Sequence, residues 1–147
     1  VTAHPWLDAD HTHAAAGVFL LTGDGRLVLQ LRDDIPAIDN PGMITTFGGA
    51  AEPGETAIAC ALREIAEETG LRPDPAELRY LGAVSKRDRN DNMTACVFFV
   101  LSGVDPEALA VTEGTAIVLS LVEAEADARL TPACRAMAAR MLTRQPA

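Results

Sequence analysis

Cysteine is scarce in these 147 residues: Cys60, Cys96 and Cys134 lie far apart, with no C-x-x-C pair. An odd, scattered set of thiols argues against a disulfide framework or a zinc site and fits a reducing cytoplasm. The three read instead as small buried hydrophobes. Positive charge is also short, with 12 Lys and Arg against 21 Asp and Glu and a net charge of −9. A chain without a basic footprint does not bind nucleic acid polymers nonspecifically. A small phosphorylated substrate stays open, because bound metal ions invert the local field. No apolar run approaches eighteen residues, so nothing is expected to span a membrane. No basic segment leads into an apolar one, so no signal peptide is expected and the predicted location is cytoplasmic. One Trp, one Tyr and four Phe leave few rings to stack on a base. Repeats, low-complexity tracts and internal linkers are lacking as well.

What is present suits one globular domain with a full core, since 48% of the residues are hydrophobic and 22% charged. Residues 1–13 hold all three histidines, His4, His11 and His13. This segment reads as loosely ordered, and residues 14–147 as the domain. Trp6 and Leu7 are candidates to pack onto the domain or onto the second subunit of a homodimer. Residues 14–21 and 26–32 read as strands joined by the turn Thr22-Gly23-Asp24-Gly25. Residues 33–42 form a loop rich in turn residues, and 43–47 a short strand. Further strands are expected at 78–86, 93–101 and 115–122. The run Val97-Phe98-Phe99-Val100 marks a strand buried on both faces. Residues 123–129 form a short helix or loop. Thr131-Pro132 then starts a last helix with an apolar stripe of Cys134, Met137, Met141 and Leu142. Strand, helix, strand and final helix give an α/β chain with a mixed sheet between helices.

The most informative stretch runs from Gly48 to Leu71, GGAAEPGETAIACALREIAEETGL. A helix is expected after the Pro53-Gly54 turn, ending at Gly70, with Pro73 and Pro75 blocking a restart. Ile58, Leu62, Ile65 and Thr69 recur at helical spacing as a buried stripe flanked by Ala61 and Ala66. At about 100° per residue, Glu64, Glu67 and Glu68 fall within an arc of roughly 100° on the other side. Like charges at these spacings cost about 0.2–0.5 kcal/mol per pair. A divalent cation removes that repulsion, and carboxylate oxygens suit Mg²⁺ or Mn²⁺. The plain alternative is a solvated acidic face partly neutralised by Arg63.

Gly49, Glu55 and Arg63-Glu64-Ile65-Ala66-Glu67-Glu68-Thr69-Gly70-Leu71 stand at the spacing G-x5-E-x7-R-E-U-x-E-E-x-G-U, with U a bulky aliphatic residue. The stretch thus resembles the Nudix box at every specified position, over 23 of 147 residues. The resemblance implies an α/β/α sandwich and hydrolysis of a nucleoside diphosphate linked to another moiety X. By resemblance, Glu64, Glu67 and Glu68 hold Mg²⁺ or Mn²⁺ with the Gly49 carbonyl, and Glu55 supports the helix or joins a second metal's shell. Arg63 orients a glutamate. The general base is Glu67 or Glu64, or else Glu113 in the Thr-Glu-Gly turn, whose plain alternative is a solvent-facing carboxylate.

For the substrate, Arg32, Lys86 and Arg87 are candidates to meet phosphates. Against that stand a charge at a strand end for Arg32 and a solvated loop tip for Lys86 and Arg87. The chain departs from the family's W-x-x-P-G-G pattern, having Ile44-Thr45-Thr46-Phe47-Gly48-Gly49. Phe47, at the usual proline position, is a candidate to stack a base, as is Trp6. About sixteen residues past the box stand Ser85-Lys86-Arg87, without the proline of ADP-ribose hydrolases or the tyrosine of dinucleoside polyphosphate hydrolases. This points to a nucleoside triphosphate or modified dNTP, with a nucleotide sugar or ADP-ribose as the alternative. A silent nucleotide-binding module of the same fold would have lost box carboxylates, and none is lost. The isoprenoid isomerase of this fold needs an acid and a cysteine around its substrate, an arrangement the three cysteines do not show.

Overall fold

The computed structural model describes residues 13–87, 90–91 and 93–144, the side chains of 13, 86, 87, 93 and 144 excepted. The expectations for His4, Trp6, Leu7, His11 and the His13 side chain lie outside the described residues, as do those for the Lys86 and Arg87 side chains.

Among the described residues seven strands form one sheet. They are β1 (His13–Leu21), β2 (Leu27–Leu31), β3 (Ile44–Thr45), β4 (Phe47–Ala50), β5 (Arg79–Arg87), β6 (Met93–Leu101) and β7 (Thr115–Leu119). The helices are α1 (Ala57–Thr69), α2 (Leu121–Ala126) and α3 (Pro132–Arg144). β1 runs parallel to β6, while the other pairings are antiparallel, so the sheet is mixed as expected.

The sheet forks. Along one edge β1 pairs with β4 through Ala15–Val18, then with β2 through Leu20 and Leu21. Beyond the fork β2 pairs with β3 on one side and with β7 on the other. The single strand expected at 43–47 is therefore two. Ile44 and Thr45 bond to β2, the ladder breaks at Thr46, and Phe47 onward bonds to β1.

Period-two alternation sorts the side chains into two cores. Val18, Leu20, Val97, Phe99 and Leu101 meet Ala57, Cys60, Ala61 and Ile65 of α1 on one face. Phe19, Leu29, Phe98 and Val100 meet Leu121, Ala124, Cys134, Met137, Ala138 and Met141 of α2 and α3 on the other. Both β6 faces are thus buried, which explains its unbroken apolar run. The result is the expected α/β/α sandwich.

The boundary between β7 and α2 differs from expectation. β7 stops at Leu119 rather than at residue 122, because Ser120 caps α2. Its side chain accepts from the Glu123 amide, while the Glu123 carboxylate accepts from the Ser120 amide. This reciprocal pair is readable in the sequence as S-x-x-E.

The buried side of α1 also differs. The fully buried residues are Ala57, Cys60, Ala61, Ile65, Glu68 and Thr69. This face is turned roughly 80° toward the glutamates from the stripe of large aliphatics. Small residues decide it, because they let the helix approach β1 and β4 closely. Ile58 and Leu62 pack against the rim of that core.

Candidate active site

α1 starts at Thr56, whose side chain accepts from the Ala59 amide, and closes at Gly70 in the left-handed conformation. Both ends follow from residue type. Between them, the helix holds one arginine and three glutamates at the open end of the fork.

Arg63 is the hub. Its Nε and Nη2 donate to Glu55 at 2.7 and 2.9 Å in a two-pronged pair. Its Nη1 donates to Glu64 at 2.8 Å and to Glu67 at 3.4 Å, and its Nη2 to the Ala50 carbonyl at 3.0 Å. The planar fork of guanidinium suits such multiple carboxylate contacts. Arg63 holds the Glu55 carboxyl down to about 2, and the carboxylates raise Arg63 in turn. Arg63 thus contacts Glu55, Glu64 and Glu67 together.

Glu68 stands apart from its two neighbours. Glu67 has a side chain 59% exposed, and Glu64 one 15% exposed, but Glu68 is only 5% exposed. The three carboxylates do not share one solvent face. Glu68 reaches into the fork, where Oε1 accepts from the Gly48 amide of β4 at 2.9 Å. Its Oε2 accepts from Nε2 of Gln30 on β2 at 3.1 Å. One carboxylate thus spans the two wings of the sheet. Burial pushes the Glu68 carboxyl up to about 7, the charges of Glu64 and Glu113 add to the rise, and the two hydrogen bonds oppose it.

Gly49 faces Glu64 closely. A Cβ built on Gly49 would lie 2.6–2.7 Å from the carboxylate atoms of Glu64. Its carbonyl oxygen accepts from the Cys60 thiol at 3.5 Å. That thiol is buried, and burial pushes it up to about 12, so it stays protonated and unreactive.

A cavity of about 640 Å³ opens beside these groups. Gly49, Glu64, Glu113, Arg32, Phe98 and Cys96 are among the residues that line it. Arg32 and Glu113, far apart in sequence, therefore face the same space as Glu64. Arg32 is steadied through Nε, which donates to the Asp39 carbonyl at 2.7 Å.

Phe47 is not available to a substrate. It is fully buried within the α1-side core, so the expectation that it stacks a base is overturned. On β4 its side chain points away from the cavity because its neighbour Gly48 takes the other face. Phe98, which the sequence reading assigned to the core alone, borders the cavity as well. Gln30 was missed as well, since a polar residue in a strand pattern reads as solvent-facing; the structure leaves it 2% exposed.

The donor set of carboxylates and a backbone carbonyl suits a hard divalent cation. Buried Glu68, whose carboxyl the charges of Glu64 and Glu113 raise further, is the observation that fits one. Among the described residues no three His, Cys, Asp or Glu side chains are gathered into a metal-holding group. Arg63 draws Glu55, Glu64 and Glu67 to itself, while Glu68 is held in the fork.

Known proteins carry the same architecture. A crystal structure described as a MutT protein, from Methanosarcina mazei Go1, superposes with a TM-score of 0.72 at 18% identity, covering 94% of this chain and 100% of that one. An Escherichia coli dihydroneopterin triphosphate pyrophosphohydrolase superposes at 0.68 with 19% identity, covering 92% and 100%. At such identities the likeness establishes the fold. In sequence, a Rhodococcus erythropolis protein named "Uncharacterized Nudix hydrolase orf19" is 36% identical over 77 residues, which is 50% of this chain and 42% of that protein. The chain spans less than half the length of the curated relatives it matches. Among the described residues no helix is long and apolar enough to cross a membrane. The model of the NUDIX domain matches residues 11–140, and with the complete box and the sandwich fold this shows that the chain belongs to the Nudix family.

Proposed function

We propose that the protein is a divalent-metal-dependent pyrophosphohydrolase that cleaves a nucleoside diphosphate linked to X, with a nucleoside triphosphate or modified dNTP as the favoured substrate class. The observation that carries this reading is the meeting of Glu64, Gly49, Glu113 and Arg32 at one cavity beside the buried carboxylate of Glu68. A silent binding module has no use for a carboxylate buried against other charges, since burying it costs stability.

Glu64, Glu67 and Glu68, with the Gly49 carbonyl, would hold Mg²⁺ or Mn²⁺. When bound there, it would supply charge to offset the pyrophosphate link and to make a nearby water more acidic. The chain's own groups do the rest. Glu67 or Glu64 takes the proton of the attacking water, with Glu113 as the alternative base. Arg63 fixes the direction of Glu64 and Glu55, as outer groups do around metal ligands elsewhere. Arg32 binds a phosphate across the cavity. Lys86 and Arg87 are further phosphate contacts on this reading. Cleavage of a triphosphate gives the monophosphate and pyrophosphate. The lack of the markers of ADP-ribose and dinucleoside polyphosphate enzymes supports this class.

The test is steady-state kcat/KM with Mg²⁺ or Mn²⁺ across dNTPs, 8-oxo-dGTP, ADP-ribose and sugar nucleotides. Turnover should vanish with chelator, return with the cation, and fall by orders of magnitude in Glu67→Gln and Glu68→Gln. Inactivity on every compound overturns the reading. A preference for a sugar nucleotide over every triphosphate overturns the substrate class.

A further inference from the structure

Among the described residues Gln30 is one of the largest fully enclosed side chains and the only one of them that is polar. It sits on β2, in a run otherwise made of Leu27, Val28, Leu29 and Leu31. Burying an amide among aliphatic residues is unfavourable unless its hydrogen bonds are met. Both acceptors of its Nε2 belong to the candidate site. They are Oε2 of Glu68 at 3.1 Å and the main-chain carbonyl of Glu113 at 3.0 Å. Acceptors on both sides fix which end of the amide faces them, because only the nitrogen can donate twice.

The surroundings leave the amide little freedom. Gly114, which follows Glu113, lies so near that an added Cβ would come 3.2 Å from Cγ of Gln30 and 2.5 Å from the Leu31 carbonyl oxygen. The turn carrying Glu113 therefore packs directly on Gln30, and only glycine permits it. Glu68 is fixed on its other oxygen by the Gly48 amide. The carboxylate of the helix, the glycine strand and the distant Glu113 turn thus meet through one side chain. The two acceptors lie 38 and 83 residues from Gln30.

Resting on the hydrolase reading above, we infer that Gln30 is a positioning residue, which sets the rotamer of Glu68 and the placement of the Glu113 turn by donating to both. It touches no substrate. It acts through Glu68 by leaving that carboxylate one orientation in the fork.

Gln30→Met tests this, since methionine keeps the length and removes the amide. The wild-type enzyme is the first control, and its failure to hydrolyse any pyrophosphate with Mg²⁺ or Mn²⁺ would sink the hydrolase reading rather than this one. With the wild type active, Gln30→Met should lower kcat and weaken Mn²⁺ binding, read without substrate by electron paramagnetic resonance, each by about 10–100-fold, the range for groups that orient metal ligands. KM for the nucleotide should change less than about threefold, as expected when ground-state binding is untouched. In a Glu68→Gln background the same change should have little further effect, because the route through Glu68 is already broken. If Gln30→Met does not fold, Gln30→Asn serves in its place: it keeps a polar amide but is one methylene too short to reach both acceptors, and the same kcat and Mn²⁺ losses are expected. Wild-type kcat and Mn²⁺ affinity in a folded variant would overturn the inference. So would a loss of equal size with and without the Glu68 carboxylate.

Discussion

Two adjacent glycines should fail for opposite reasons. Gly48 and Gly49 both lie on β4, where Gly48 pairs with Gly17 and Gly49 with Ala16 of β1. An alanine Cβ at Gly48 would overlap the Ala16 carbonyl oxygen and stand 2.7 Å from Gly17 Cα and 3.1 Å from the Ala16 carbonyl carbon. Every one of those atoms is backbone, held in the middle of the β1–β4 ladder, so no side chain can rotate away. Gly48 also has a φ of 153°, at the edge of the region that side chains avoid. Overpacking and backbone strain together cost about 2–6 kcal/mol. For a domain of this size that lowers Tm by about 5–20 °C. At Gly49 the overlapping atoms are the carboxylate of Glu64, 2.6–2.7 Å from the added Cβ. A carboxylate at the end of a flexible chain can swing aside by the roughly 0.7 Å needed for ordinary contact, at a cost below about 1 kcal/mol. A shift near 1 Å at a reacting centre costs about 100-fold in rate. Gly48→Ala should therefore show a large loss of Tm by circular dichroism. Gly49→Ala should keep its Tm within about 4 °C and lose about 100-fold in kcat/KM. A fully active Gly49→Ala enzyme would refute the importance of where Glu64 sits, and an unshifted Tm for Gly48→Ala would refute the backbone contact.

Removing the hub gives a second outcome. Arg63→Ala leaves Glu55 and Glu64, with side chains 12% and 15% exposed, without their cation. Urea denaturation should show a loss of about 1–3 kcal/mol, and Arg63→Lys should recover only part of it, because lysine lacks the fork. A stable Arg63→Ala protein would contradict the hub. The third outcome concerns pH. Arg129 hydrogen bonds hold Asp127 at about 2, below its ordinary value of 3.8. A carboxyl lowered by folding adds stability above the unfolded value, and this stability is lost as pH falls through the folded one. Asp127→Asn should therefore cost stability at pH 7, and the gap between variant and wild type should close between about pH 4 and pH 2. Screening at these partly exposed side chains keeps the gap under about 1 kcal/mol. A gap that stays constant across that range in acid denaturation would refute the assignment.

The sequence by itself determined the family, the sandwich and most elements. Those depend on local rules: the box spacing, the Pro53-Gly54 turn and Gly70 cap of α1, and the doubly apolar run of β6. It also put Arg63 beside Glu67, since i and i+4 neighbours on a helix meet wherever the helix lies. Which side of α1 faces inward was not local. Large aliphatic residues marked one stripe, but the sheet draws in the small residues Ala57, Cys60 and Ala61, and this carries Glu68 inside with them. Phe47 went into the core for a similar reason, because pairing with β1 fixed the face it occupies. Gln30, Glu68 and Glu113 are joined only after β2, α1 and the turn before β7 have met at the fork. A hydrogen bond across 38 or 83 residues leaves no periodicity in the chain. It exists only because the sheet splits where β1 changes partner, and only the tertiary structure decides where that split falls.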